Sequence, residues 1–203
     1  MVGSQPDDEP VLLDFYRWVR TARCCGSSDA GLECDRSFVP YPKLQEYFQE
    51  PHRIRNLLQA LFPELSEPPV GPERIQRSYC RIFSILLLIC KGRYIRHFVQ
   101  YGNLTDQHLP FHANSPPAFF PWASPGHDFF ASFCNTQWEF CAPKLEYDMI
   151  KRFEDDEILP IISKKLLAEG GSAVTYKVQL HPAYNELNPN SRLDPVITDV
   201  LPS

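Results

Sequence analysis

The stretch Lys164-Lys165-Leu166-Leu167-Ala168-Glu169-Gly170-Gly171-Ser172-Ala173-Val174-Thr175-Tyr176-Lys177-Val178-Gln179-Leu180 decides the fold. From Ala173 to Leu180 the residues alternate with the period of a β-strand, whereas the strongly periodic segments upstream repeat at helical spacing. Gly170, Gly171 and Ser172 separate this run from Lys164–Leu167, so the two arms predict a β-hairpin with a Gly-Gly turn. The expected fold is mainly α: a multi-helix N-terminal domain followed by a C-terminal β-hairpin.

Upstream, the clearest helix runs from Pro72 to Lys91. Pro72 suits the first helical position, Glu73 the first turn, and Gly92 a left-handed stop. Its stripe of Ile75, Tyr79, Ile82, Phe83, Leu86 and Ile89 widens at Ile85–Ile89 until the helix needs neighbours on several sides. Val11, Leu12, Phe15, Trp18 and Val19 predict a first amphipathic helix ending near Arg23, with a loop from Cys24 to Gly31 after it. Further helices are expected at Lys43–Gln49, His52–Phe62, Tyr94–Tyr101 and Asp128–Phe140. The aromatics from Phe119 to Phe140, with Trp122 and Trp138, read as core rather than a ligand pocket. The expected divisions are a disordered acidic tail over 1–9, a helical domain over 10–153, an acidic linker (Glu154–Glu157) and hairpin over 154–184, and a disordered tail over 185–203.

Twenty prolines against nine glycines in 203 residues favour short helices and stiff loops. The net charge of −5 is scattered, and no Lys/Arg stripe could neutralise a row of phosphates, which excludes nucleic acid as an expected partner. The longest apolar run, Ile82–Cys90, is about half of the roughly 18 to 20 residues a membrane span needs. Met1–Pro10 has no basic region ahead of an apolar run, so a cytoplasmic or nuclear location is expected. The cysteines (24, 25, 34, 80, 90, 134 and 141) are irregularly placed and should remain thiols. His108, His112, His127, Cys134 and Cys141 lack the paired spacing of a zinc site, so no metal site is assigned.

Leu167–Val178 resembles the glycine-rich loop of the eukaryotic protein kinases, G-x-G-x-x-G-x-V. The three glycine positions fall on Ala168, Gly170 and Ala173, and the valine position on Thr175. Arg81–Leu86, Leu109–Phe111, Gln137–Pro143 and Ile158–Ile161 are similar to the helical region that precedes the kinase domain in filamentous-fungal serine/threonine kinase-like proteins. The resemblance implies a parent family that uses ATP and magnesium to phosphorylate protein serine and threonine. It implies nucleotide contacts at Leu167, Gly170, Gly171, Ser172, Ala173 and Thr175.

The same family uses a third-strand lysine, an H-R-D base and a D-F-G metal ligand, and none of these occurs here. Lys177 is the last lysine and falls on the second expected strand. No catalytic residue is therefore assigned. The expectation is a truncated or fragmentary kinase-like protein, inactive by itself and binding ATP weakly at best. The alternative is a non-enzymatic interaction module whose helical domain binds another protein.

Overall fold

Among the described residues, seven α-helices account for the first of two compact units, which is drawn from Met1–Ala22 and Tyr41–Cys141. The computed structural model describes residues 10–25, 36–121, 128–146, 153, 156–169, 173–187 and 196–200. In chain order the helices are α1 (Pro10–Ala22), α2 (Tyr41–Gln49), α3 (Pro51–Leu61), α4 (Pro72–Ser78), α5 (Cys80–Leu88), α6 (Ile95–Phe98) and α7 (Phe129–Gln137). Pro51 and Pro72 open α3 and α4, where the missing N–H costs nothing. The Asp128 carboxylate starts α7 by accepting a 2.8 Å hydrogen bond from the Ala131 amide. Among the described residues, no helix is long and apolar enough to cross a membrane.

Helix α5 is the buried centre of this unit. Ile82, Phe83, Ile85 and Leu86 are fully buried, as the all-round apolar pattern requires. Full burial of such side chains stabilises by about 1.5–3 kcal/mol each. Phe83 lies against Phe48, which stacks in turn on Phe15 of α1. A second aromatic group joins Phe98, Phe111, Phe120 and Phe133, with centroids 5.5 to 6.3 Å apart. Much of the Phe119–Phe140 run is thus core, but Phe119 itself is exposed, against expectation, and Trp122 lies outside the described residues. Buried Gln137 fastens α7 to the loop before it: its Oε1 accepts from the Phe111 amide at 2.7 Å and its Nε2 donates to the Phe111 carbonyl at 2.8 Å.

Two features differ from the single helix expected over Pro72–Lys91. The helix breaks at Tyr79 (φ −139°, ψ 18°), and the new amino end is capped by a distant residue. Its stop is also not Gly92. Cys90 takes the left-handed conformation (φ 55°), the Cys90 amide donates to the Leu87 carbonyl, and the Lys91 amide donates to the Leu86 carbonyl. These are the two bonds of a Schellman motif, with cysteine where glycine normally stands. Gly92 serves close packing instead. A Cβ there would lie 2.8 and 2.9 Å from the Leu61 methyls and 3.1 Å from Leu87 Cδ2.

The second unit combines Arg23–Pro40 with Ala142–Ser203. Strands β1 (Cys24–Cys25) and β2 (Ser37–Phe38) pair antiparallel, in a region expected to open as a loop. Strand β3 (Leu145–Glu146) pairs in parallel with β6 (Asn185–Glu186). The main sheet has β4 (Ile161–Glu169), β5 (Ala173–Leu180) and β7 (Val196–Val200) in the order β4-β5-β7, all antiparallel. The hairpin arms therefore form where the period-two pattern places them. The disordered tail expected over 185–203 does not hold at 185–186 or 196–200, because β5 offers a second edge whose N–H and C=O groups β7 satisfies. Leu145, Val178 and Leu180 make a small core, with Phe153, Ile161, Tyr176 and Leu187 against it.

The αL cost at Cys90 and the tight fit at Gly92 give opposite expectations for neighbouring substitutions. Cys90→Gly should raise stability by about 0.5–1 kcal/mol, the left-handed penalty less the extra backbone entropy of glycine. Gly92→Ala should lower it by about 1–3 kcal/mol through overpacking against Leu61 and Leu87. Urea unfolding of both variants checks the pair, and equal shifts of the same sign would contradict the assignment.

Candidate functional site

Of the residues that the kinase resemblance singles out, the structure describes Leu167 on β4 and Ala173 and Thr175 on β5. Strands β4 and β5 pair from Ile161 opposite Leu180 to Glu169 opposite Val174, with register shifts between Ile161 and Ser163 and between Leu166 and Ala168. Leu167 falls at the second irregularity and is half exposed, and Thr175 stands opposite Ala168. Ala173 begins β5 and pairs with Val200. Gly170, Gly171 and Ser172 lie outside the described residues, as do Glu154 and Asp155 of the acidic linker.

Cations near this hairpin are held by strand geometry. Lys164 Nζ sits 3.6 Å from the centre of the Tyr176 ring, and Lys165 stands opposite Lys177. Lys177 in turn pairs with Val196 of β7. The third strand reads Val196-Ile197-Thr198-Asp199-Val200 and has no lysine in its sequence. A bulged outer strand with two lysines is also a poor template for adding another strand, since each register shift interrupts the ladder of backbone donors and acceptors.

A second cluster was not evident from the sequence. Asp106, only 7% exposed, receives the Arg81 amide on Oδ2 and the Ile82 amide on Oδ1, each at 2.9 Å. These are amides at the start of α5, so the carboxylate caps a helix more than twenty residues earlier in the chain. The Arg81 guanidinium lies 4.8 Å from the centre of the Tyr41 ring, and its buried Nε has no hydrogen-bond partner among the described residues. Burial pushes Asp106 up to about 6, against the lowering effect of the backbone bonds and Arg81. Burial likewise raises Tyr41, with the charges of Cys80 and Asp106 adding to it.

The same environment makes the inner thiols poor nucleophiles. Burial raises Cys80 to about 12 and Cys134 to about 11, so both remain neutral thiols near pH 7. Cys80 donates to the Gln76 carbonyl at 3.1 Å, and Cys134 Sγ approaches the Phe111 carbonyl at 3.7 Å. Among the described residues, no three His, Cys, Asp or Glu side chains gather closely enough to hold a metal ion. His127 and Cys34 lie outside those residues.

A third place is an open cleft of about 170 Å³ in the helical unit, lined chiefly by Leu12, Tyr16, Leu61, Leu87, Lys91 and Tyr94. The only warning of it in the sequence is the Gly92-Arg93-Tyr94 turn that follows α5.

No family model matches the chain, no curated protein matches its sequence, and no solved structure matches its fold.

The raised pKa of Asp106 fixes the sign of one pH effect. Its folded value of about 6 exceeds the ordinary 3.8, so the folded state holds the proton more tightly. The contribution of this group is fullest below about 4 and is lost as pH rises to about 6. Urea unfolding across that window should show wild type losing stability relative to Asp106→Asn as pH rises, with a constant difference above it. Asp106→Ala, which removes the cap altogether, should cost about 1–2 kcal/mol at neutral pH.

Proposed function

We propose that this chain is a serine/threonine kinase-like protein that does not itself transfer phosphate. The observation that carries the proposal is the antiparallel pairing of β4 with β5, the two arms that flank Gly170 and Gly171 in the sequence, continued on the far edge of β5 by a third strand whose sequence has no lysine. A glycine-bearing turn lets backbone amides approach an anionic ligand, which is the work of the family's loop. Phosphoryl transfer needs more. It depends on positioning and on neutralising charge, and here the third-strand lysine, the H-R-D base and the D-F-G metal ligand are all missing. With alanine at two of the three glycine positions and Thr175 at the adenine-packing position, ATP and magnesium are held weakly at best.

A second reading, a non-enzymatic module acting through the helical unit, draws support from one surface feature. Phe119 is 63% exposed, has a left-handed backbone (φ 66°) and stacks on Tyr101 with ring centres 4.6 Å apart and planes 4° from parallel. A strained, exposed aromatic pair is a reasonable contact for another protein.

Titrating the purified chain with a fluorescent ATP analogue plus magnesium tests the inactive kinase-like reading. The expected result is no saturable binding below the millimolar range and no transfer of the γ-phosphate to a generic serine/threonine substrate. Micromolar affinity or measurable transfer would sink it. Descent is tested separately on the transcript, where in-frame V-A-I-K-like and H-R-D segments further downstream would support the kinase relationship and their continuous absence would remove it.

A further inference from the structure

The cleft beside the end of α5 is independent of the hairpin and of any kinase relationship. Its lining includes the aliphatic residues Leu12, Leu61 and Leu87 and the aromatic residues Tyr16 and Tyr94. At about 170 Å³ it is close to the roughly 150 Å³ of an apolar cavity that takes up benzene. The body of a fitting ligand is therefore one aromatic ring or a short hydrocarbon chain.

The charged residues of the lining set the other end of the ligand. Arg93 is already neutralised by Glu64, with its guanidinium 5.2 Å from the centre of the Phe62 ring. Lys91 also lines the cleft, and its ammonium has no ion pair or hydrogen bond among the described residues. One uncompensated positive charge remains. A helix carboxyl end ordinarily repels anions, but here three of the last four carbonyls of α5 accept hydrogen bonds. Ile85 accepts from the Ile89 amide, Leu86 from the Lys91 amide, and Leu87 from both the Cys90 amide and the Tyr16 hydroxyl.

We infer that this cleft binds a small apolar monocarboxylate, with its ring or short chain on Leu12, Leu61 and Leu87 and its carboxylate paired with Lys91. A dianion such as a phosphate monoester would leave a charge unmatched. A neutral ring of the same size would bind through the aliphatic lining alone and forgo the ion pair.

The test uses the full, ¹⁵N-labelled chain and two probes, benzoate and benzyl alcohol, followed through the amide signals of Gly92 and Tyr94. Benzoate should give saturable shifts at these amides and bind more tightly than the alcohol. Lys91→Gln, a half-exposed substitution whose fold is checked by its unchanged amide spectrum elsewhere, should weaken benzoate about threefold to fivefold and leave benzyl alcohol unaltered. Absence of saturable shifts, shifts that map elsewhere, or a benzoate affinity indifferent to Lys91→Gln would each overturn the inference.

Discussion

A helix buried on nearly all sides cannot leave its end groups to water, and that constraint on α5 organises the helical unit. The Asp106 carboxylate meets two of the amides at the amino end. At the carboxyl end, the chain turns through a left-handed Cys90 so that its own next amides satisfy the last carbonyls. Tyr16 adds a hydroxyl donor to Leu87 from α1. Packing that stabilises the middle of α5 is thus possible only because three separate segments attend to its polar ends.

The sequence made the body of each helix legible and hid the ends. Period and proline placement located α1, α2, α3 and α7 to within a few residues, since each buries one continuous stripe. The break at Tyr79 was invisible, because Ile75, Tyr79, Ile82 and Phe83 fit one helical stripe and the cap that permits the break lies at Asp106. In the linear text, Asp106 looks like the opening residue of its own turn, Asp106–His108. Gly92 misled for a related reason: glycine after a helix usually signals a left-handed stop, but the same absence of Cβ also serves where Leu61 and Leu87 press against the backbone.

The strand unit was legible in proportion to its alternation. Ala173–Leu180 alternates and forms β5 over that span. Val196–Val200 is short and follows a proline-containing segment, so it carries little pattern of its own, and its strand identity comes from the edge that β5 presents. The pair Cys24–Cys25 and Ser37–Phe38 is shorter still. As for the candidate site, the flanks of the glycine turn were readable as a hairpin. The cleft and the Asp106 cap were not, because each is assembled from segments far apart in sequence.

The division of the chain bears on how it is made. The helical unit draws most of its length, Tyr41–Cys141, from between the two pieces of the strand unit. In that second unit, Phe38 packs edge-on against His181 and Tyr184. At translation rates of about 5–20 residues per second, the ring waits roughly 7–30 s after synthesis before those partners exist. During that interval the nascent chain can complete its helical unit but not the other. An aromatic side chain that finishes buried therefore spends its first seconds without the rings it finally packs against.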